Sequence, residues 1–572
     1  MRILIIGIQV AYLFSMLPDR FSTTTLEKNL ATLVQIDETL CQRICLPVDG
    51  THIHFSQNGE VHYTKSFSHL PFTIGTHDLP GSIGHIGDTS DVLLFGIGLG
   101  EQLDYLLEHY SKTKIIAWER DPWLVRLVLM QRDYSTYLRS GHLKLSMSID
   151  ILDMPAVANN AVIVCHPFFR FIYENEYSLI KEGVGEKRAI ICSGNLFVDD
   201  ITKALKKLGF SLYTLDIEKL AIEEISGVVK RFNPQFIFSI NYTNGLAELC
   251  HELDVTLICW EVDPASDRLL PCKTPTDNTY IFTYRKANIE EFARTGFTHI
   301  SHLPFASDPK KRSSPHMTAV DKILYDAPLS FVGSSMIRQA HSFREVFLSH
   351  YVTFHEGDHH AVEKGNQLLE KVLAEQRKDF SVYVLPEVLY YYFKEFISYF
   401  KNLPGACDPL MLVGEIAAAE KRIDYITKLG HLGIKVWGDE GWKFLEKYEI
   451  PYRGSAGHTH EINKIYAAST INIDINRLYQ SDIVNMRVFD ILACGGFVIA
   501  EYSPDLEELF EIGKEVETFH TFNELVDKAT YYLNEKDKAL QIATQGQKKV
   551  VEKYTISTRI NYILETISNR HM

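Results

Sequence analysis

Asp482 and Asp490 stand with seven residues between them where the chain passes from a strand through a polar loop into a helix. The β-branched run Ile471 to Ile475 reads as a buried strand, and Asn485 caps a helix with Val488, Ile491 and Leu492 on its packed face. Gly495-Gly496 stops that helix before a second apolar strand, Phe497 to Ala500. A helix that opens beside a loop presents unpaired N–H groups and a positive partial charge, which suit phosphate. One acid then faces a pocket from the loop and the other from the helix wall. Arg487, in the first turn, adds a cation. A second phosphate-compatible turn lies upstream, where the apolar strand Leu329 to Val332 runs into Gly333-Ser334-Ser335 with Arg338 one turn on. Gly438 likewise follows a strand in IKVWGDEGW, and His458 and His460 fall in a later turn. For a base the candidates are Glu261 and Asp263, acids just past a strand in ICWEVDP, together with Asp199. Preorganised N–H groups and arginines can stabilise a departing diphosphate without a metal, and no metal site is expected.

The wording NMRVFDILACGGFVIAEY, with PDLEELF one serine later, resembles the C-terminal domain of the CgeB-like glycosyltransferases. The spacing of Asp482 and Asp490 also resembles the Glu-seven-residues-Glu motif of retaining GT-B glycosyltransferases, with aspartates in both places. The resemblance runs over about 189–567. It implies that Asp490 binds the ribose of a nucleotide-sugar, that Asp482 and the turn carrying His458 lie near the sugar or nucleobase, and that the last helix crosses back to the first half. It also implies a nucleotide-diphosphate sugar as donor, a UDP-sugar by preference, with no cofactor. Retention is the outcome the motif implies. Shortening Glu to Asp draws each carboxylate back by about 1.5 Å, one carbon–carbon bond, which bears more on Asp482 than on Asp490.

Nearer the start, VLLFGIGLGEQLDYLLEHY gives a buried strand, a glycine turn (Gly96, Gly98, Gly100) and a helix, and KIIAWERDP gives a second strand ending in Glu119. Such a layout suits a mononucleotide, with glycines admitting the ligand and the acid taking ribose hydroxyls. The segment resembles the Rossmann core of the Maf-type flagellin-modifying proteins. Three readings stay open for it: an S-adenosylmethionine-dependent methyltransferase site, a nucleotide-sugar site, and a non-catalytic scaffold that docks a partner. The Maf-type likeness implies flagellin or another surface protein as the acceptor.

Length and composition agree with a large enzyme. With 572 residues and 46% hydrophobic side chains the chain can bury several cores. Its net charge of −15 argues against a nucleic-acid surface. Nine cysteines without paired zinc spacing fit a reduced, cytoplasmic protein, and no apolar run reaches the ~20 residues of a membrane span. Strand and helix alternate through most of the sequence, so the expected fold is α/β. A Rossmann-like domain over 1–185 precedes a GT-B pair of Rossmann-like halves facing a cleft. The acceptor half spans 186–325 and the donor half 326–555. A helical insertion near 341–422 lies over the cleft or forms a homo-oligomer contact, and a crossing helix spans 556–572.

Overall fold

The computed structural model describes residues 18–65, 71–75, 81, 83, 86, 91–194, 196–263, 269–358, 360–401, 408–457 and 460–569. His458, expected near the sugar or nucleobase, lies outside them. Two compact units divide the chain, Met1–Cys259 and Trp260–Met572.

In the first unit, β1 (Ile53–Phe55), β2 (Val61–Thr64) and β3 (Pro71–Thr73) form a small antiparallel sheet. A parallel sheet follows, of order β6-β5-β4-β7, from β4 (Asp91–Phe95), β5 (Ile115–Glu119), β6 (Leu143–Met147) and β7 (Ala161–Cys165). Its two central strands, DVLLF and IIAWE, are almost wholly buried, which is why they read as unbroken apolar runs rather than alternating ones. Phe95 stacks on Trp118 at 4.8 Å in this core. Three more parallel strands, β8 (Arg188–Cys192), β9 (Ser211–Leu215) and β10 (Phe236–Ile240), place β8 in the middle. The division into units falls inside β11 (Thr256–Glu261).

The second unit begins with the parallel pair β12 (Thr279–Thr283) and β13 (His299–His302). Its largest sheet has the order β15-β14-β16-β17-β18, all parallel, from β14 (Ala327–Val332), β15 (Ile434–Trp437), β16 (Ser469–Asp474), β17 (Val498–Glu501) and β18 (Glu517–Phe519). Between β14 and β15 the described residues form four α-helices, Ile337–Phe354, His360–Arg377, Leu385–Lys401 and Pro409–Lys428, over the stretch where a helical insertion near 341–422 is expected. The aromatic stripe on the third is core: Phe393 and Phe396 meet Phe347 and Tyr351 edge to face at 5.2 to 5.3 Å. The last helix, Ile556–Ser568, packs beside β12 through Tyr562 and Phe282, while its Arg559 donates to the Phe305 carbonyl. Among the described residues no helix is long and apolar enough to cross a membrane. The α/β class with parallel sheets is therefore the fold observed.

Candidate functional site

The sheet of the second unit starts at β14, steps to β15 on one side, and then crosses back to β16, β17 and β18 on the other. The strand order thus reverses between β14 and β16, and in open parallel sheets a ligand lies outside the carboxyl ends of the strands at such a reversal. At that edge β14 runs on into Gly333 and Ser334, β15 into Gly438 and Asp439, and β16 ends in the buried Asp474.

Two guanidinium groups converge on the turn after β14. Arg422, on the helix Pro409–Lys428, donates from Nη1 to the Ser334 carbonyl at 2.8 Å. Arg487, on the helix Met486–Ala493, pairs with Asp474 and lies so close to the turn that a Cβ on Gly333 would come within 2.9 Å of its Nη2. Both sit over the ring of the buried Phe331, with Cζ 5.4 Å (Arg422) and 5.2 Å (Arg487) from its centroid. A third, Arg477, follows β16 and lies 3.1 Å from Glu415 through Nε. Burial, with the charges of Arg487 and Arg477, pushes Arg422 down to about 9. Its Nε is buried without a hydrogen-bond partner, and among the described residues it has no ion pair. The next residue back, Lys421, is by contrast held by Glu501 at 2.5 Å.

Several expected contacts differ in the structure. The Gly333 to Ser335 turn does not leave its donors open, because Asp439 accepts from the Ser335 N–H at 2.8 Å and from the hydroxyls of Ser334 and Ser335. An acid two residues after Trp437 has taken the place an anion would have. Gly438 serves the same packing: a Cβ there would collide with the Gly333 carbonyl, which already accepts from Trp442 Nε1 at 2.8 Å. Arg338 is exposed on the first turn of its helix and points to no partner among the described residues. Asn485 occupies the N-cap position, yet its amide reaches back to Asp474 (3.0 Å) and Asn476 (2.7 Å) instead of capping.

Both spaced aspartates hold arginines. Asp482 takes Arg285 Nε at 2.8 and 2.9 Å through its two oxygens. Asp490 is buried, accepting from the Ser307 hydroxyl at 2.6 Å and from Arg312 Nε at 3.0 Å. Burial pushes its carboxyl up, and Arg312 and Ser307 offset that only in part. The expected ribose contact of Asp490 is therefore replaced by an internal tether, since one turn into the helix its side chain meets the 307–312 segment. Of the three candidate bases, Asp199 is exposed in the first turn of the helix Val198–Lys207, Glu261 is buried at the end of β11, and Asp263 is exposed just beyond it near Arg477 and Tyr284. The structure thus gathers Arg487, Gly333 and Ser334 from the expected set, with Asp263 nearby. It adds Arg422, Arg477, Asp474 and Asp439. Asp474 could be found as the polar end of an apolar strand; nothing in the sequence around Arg422 distinguishes it from a solvated helix residue.

The glycine turn of the first unit is built differently from a ligand site. Gly96, Gly98 and Gly100 all have positive φ (78°, 58° and 89°), as the turn requires. The space they free is filled by the chain itself: a Cβ on Gly98 would collide with the His166 ring, and one on Gly96 would lie 2.8 Å from Phe169 Cβ. Glu119, expected to take ribose hydroxyls, is buried and accepts from the N–H groups of Ile97 (2.9 Å), Arg120 (2.8 Å) and Asp121 (3.1 Å) and from the Tyr173 hydroxyl (2.5 Å). Burial pushes its carboxyl up to about 7.

His166 gives this packing a pH dependence. Its Nδ1 accepts from the N–H groups of Phe168 (3.2 Å) and Phe169 (3.4 Å), and burial pushes its pKa down to about 4. The folded-state pKa lies below the ordinary value near 6.5, so the stability from neutral His166 is present above that value and is lost as pH falls through about 4. A loss of about 3 kcal/mol between pH 7 and 4 is expected. His166→Asn keeps an acceptor at the Nδ1 position and removes the titration. Urea unfolding across that range should show a shallower acid slope in the variant, and parallel slopes would refute the assignment.

Residues 419–565, about a quarter of the chain, match the glycosyl transferase-like family model. No curated protein matches the sequence. Among solved structures, HepE of Anabaena in complex with UDP is similar at 12% identity, covering 67% of this chain and 100% of that one, with a TM-score of 0.38. A glycosyltransferase from Rickettsia africae ESF-5 is similar at 11% identity, 67% and 98% coverage and a TM-score of 0.38. The Maf glycosyltransferase of Magnetospirillum magneticum AMB-1 is similar at 10% identity, covering 52% of this chain and 59% of that one, with a TM-score of 0.22. The region matching the family model contains Arg422, Asp474, Arg477 and Arg487.

Proposed function

We propose that the chain is a cytoplasmic glycosyltransferase that transfers a sugar from a nucleotide-diphosphate sugar, a UDP-sugar by preference, at the carboxyl edge of β14 and β16. The observation that carries this reading is Arg487, set over the Phe331 ring and against the Gly333 turn at the strand-order reversal. In the reaction an acceptor oxygen attacks the anomeric carbon. The bond from that carbon to the diphosphate oxygen breaks, and both its electrons leave with the nucleoside diphosphate. Fixed cations beside the departing oxygens stabilise the charge that develops there, so no metal is needed. The acceptor's proton passes to a carboxylate, for which exposed Asp263 is the candidate. Retention loses its motivating residues, because Asp482 and Asp490 are both engaged by arginines.

The acceptor we propose is a protein or glycan of the cell surface, flagellin being the example that the Maf-type likeness supplies. For the first unit we favour the scaffold reading, on the ground that His166 and Phe169 fill the glycine turn. Calorimetric and thermal-shift titration of the whole chain with UDP, GDP, CDP and S-adenosylmethionine tests both statements. Stabilisation by a nucleoside diphosphate is expected, about 2.7 kcal/mol at a hundredfold excess over Kd. Stabilisation by S-adenosylmethionine alone would replace the glycosyltransferase with a methyltransferase.

A further inference from the structure

The helical layer 337–428 bears on the same edge of the sheet. We infer that Arg422, carried by the last helix of that layer, is a diphosphate-binding residue of the donor site, so that the layer completes the site instead of merely covering the sheet. This role for Arg422 rests on the glycosyltransferase reading.

The arrangement of charge points there. Arg487 is neutralised by Asp474, Arg477 lies against Glu415, and Lys421 is held by Glu501. Arg422, 7% exposed, is the member of the group that makes no ion pair of its own among the described residues, although the charges of Asp474 and Glu415, each paired with another arginine, reach it. An arginine buried in this way costs free energy unless an anion joins it. Its Nη1 donates to a carbonyl, while Nε faces no acceptor and is itself buried. A guanidinium offers five N–H donors in a planar fork that matches two phosphate oxygens. The carbonyl it does engage belongs to Ser334, at the mouth of the turn that also meets Arg487. An anion entering at the ends of β14 and β16 would meet Arg487 from one helix and Arg422 from another.

Local packing explains why the helix holds Arg422 in place. Gly414 lies against the Tyr479 ring, with a Cβ there only 3.0 Å from Cδ1, and Glu415 accepts from the Tyr479 hydroxyl. On the far side of Arg422, Tyr425 packs against Phe522 at 5.0 Å. Fixed before and after Arg422, the helix presents it with little freedom to withdraw, which is the preorganisation that binding a diphosphate requires.

The test uses the full chain with UDP, UMP and uridine as probes and measures Kd by calorimetry. UDP binding by the unaltered protein checks the underlying reading; if UDP, GDP and CDP all fail to bind, both statements are overturned together, and if another of them binds it replaces UDP in the test. Given that binding, Arg422→Gln is expected to weaken UDP by at least tenfold while uridine affinity stays within about twofold, since one charge-assisted hydrogen bond is lost at the phosphates alone. Equal UDP affinity in the folded variant overturns the role of Arg422 and leaves the donor site standing. Equal loss for UDP and uridine also overturns it, because that pattern marks a structural residue. Where Arg422→Gln does not fold, Arg422→Lys serves. A buried lysine loses its charge at lower pH than arginine, so UDP binding by that variant should fall between pH 7 and 8 while the unaltered protein stays level; a level response in the variant counts against the inference.

Discussion

Asp490→Ala is expected to lower the stability of the chain by about 3–5 kcal/mol, the cost of leaving one member of a buried ion pair without its partner. Arg312 loses the Asp490 carboxylate at 3.0 Å, and the Ser307 hydroxyl loses the acceptor it holds at 2.6 Å. The damage extends beyond the pair. Ser307 exchanges backbone hydrogen bonds with Tyr554 and Ile556, so the carboxylate links the helix Met486–Ala493 to the start of the final helix. Urea unfolding measures the change, and a loss below about 1 kcal/mol would show that water screens the pair. A double variant, Asp490→Leu with Arg312→Met, should recover most of the loss. Replacing both charges by apolar side chains removes the desolvation cost together with the pair. Nucleotide affinity separates this tether from a ribose contact. A direct contact would cost Asp490→Asn about 1.5–3 kcal/mol in UDP binding, whereas the internal tether predicts less than that in the folded variant.

Periodicity and turn chemistry made the sheets legible. DVLLF, IIAWE and INID are apolar because parallel strands are covered on both faces, and glycine or an acid marks each carboxyl end. From those ends the site's location can be read, since it depends on strand order and on helices that begin there. The identity of the groups that fill the site is another matter. A seven-residue spacing brought Asp482 and Asp490 to attention, but spacing does not say what lies across from a side chain, and Arg285 and Arg312 approach from 197 and 178 residues away. The glycine turn at Gly96 to Gly100 gave the same ambiguity. Positive φ values free space, and whether a ligand or the chain's own His166 takes it depends on a segment almost 70 residues later. Arg422 was invisible for the opposite reason: in AEKRID it stands among charges that a solvated helix also carries, and only packing turns it inward.

Arg487→Lys should raise the Kd for UDP roughly 10- to 150-fold, or about 1.5–3 kcal/mol, with little change in stability. The two consequences part because Arg487 has two partners. Toward the sheet it neutralises Asp474, a carboxylate 1% exposed that also accepts from the Asn485 amide at 3.0 and 3.3 Å. A lysine retains that compensating charge. Toward the Gly333 turn the guanidinium offers a planar fork, and an ammonium cannot reproduce two parallel hydrogen bonds to a diphosphate. Arg487→Met removes both functions, so it should also cost about 3–5 kcal/mol of stability by stranding Asp474. Pairing it with Asp474→Asn should return much of that stability and none of the UDP affinity. Gly333→Ala provides a check that leaves every charge in place: its Cβ would lie 2.9 Å from Arg487 Nη2 and 3.2 Å from the Phe331 ring, so the guanidinium must move. Weaker UDP binding in Gly333→Ala with unchanged unfolding would locate the diphosphate at this turn. Unaltered UDP affinity in both Arg487→Lys and Gly333→Ala would remove the diphosphate from the β14 edge, and with it the physical basis for a donor site there.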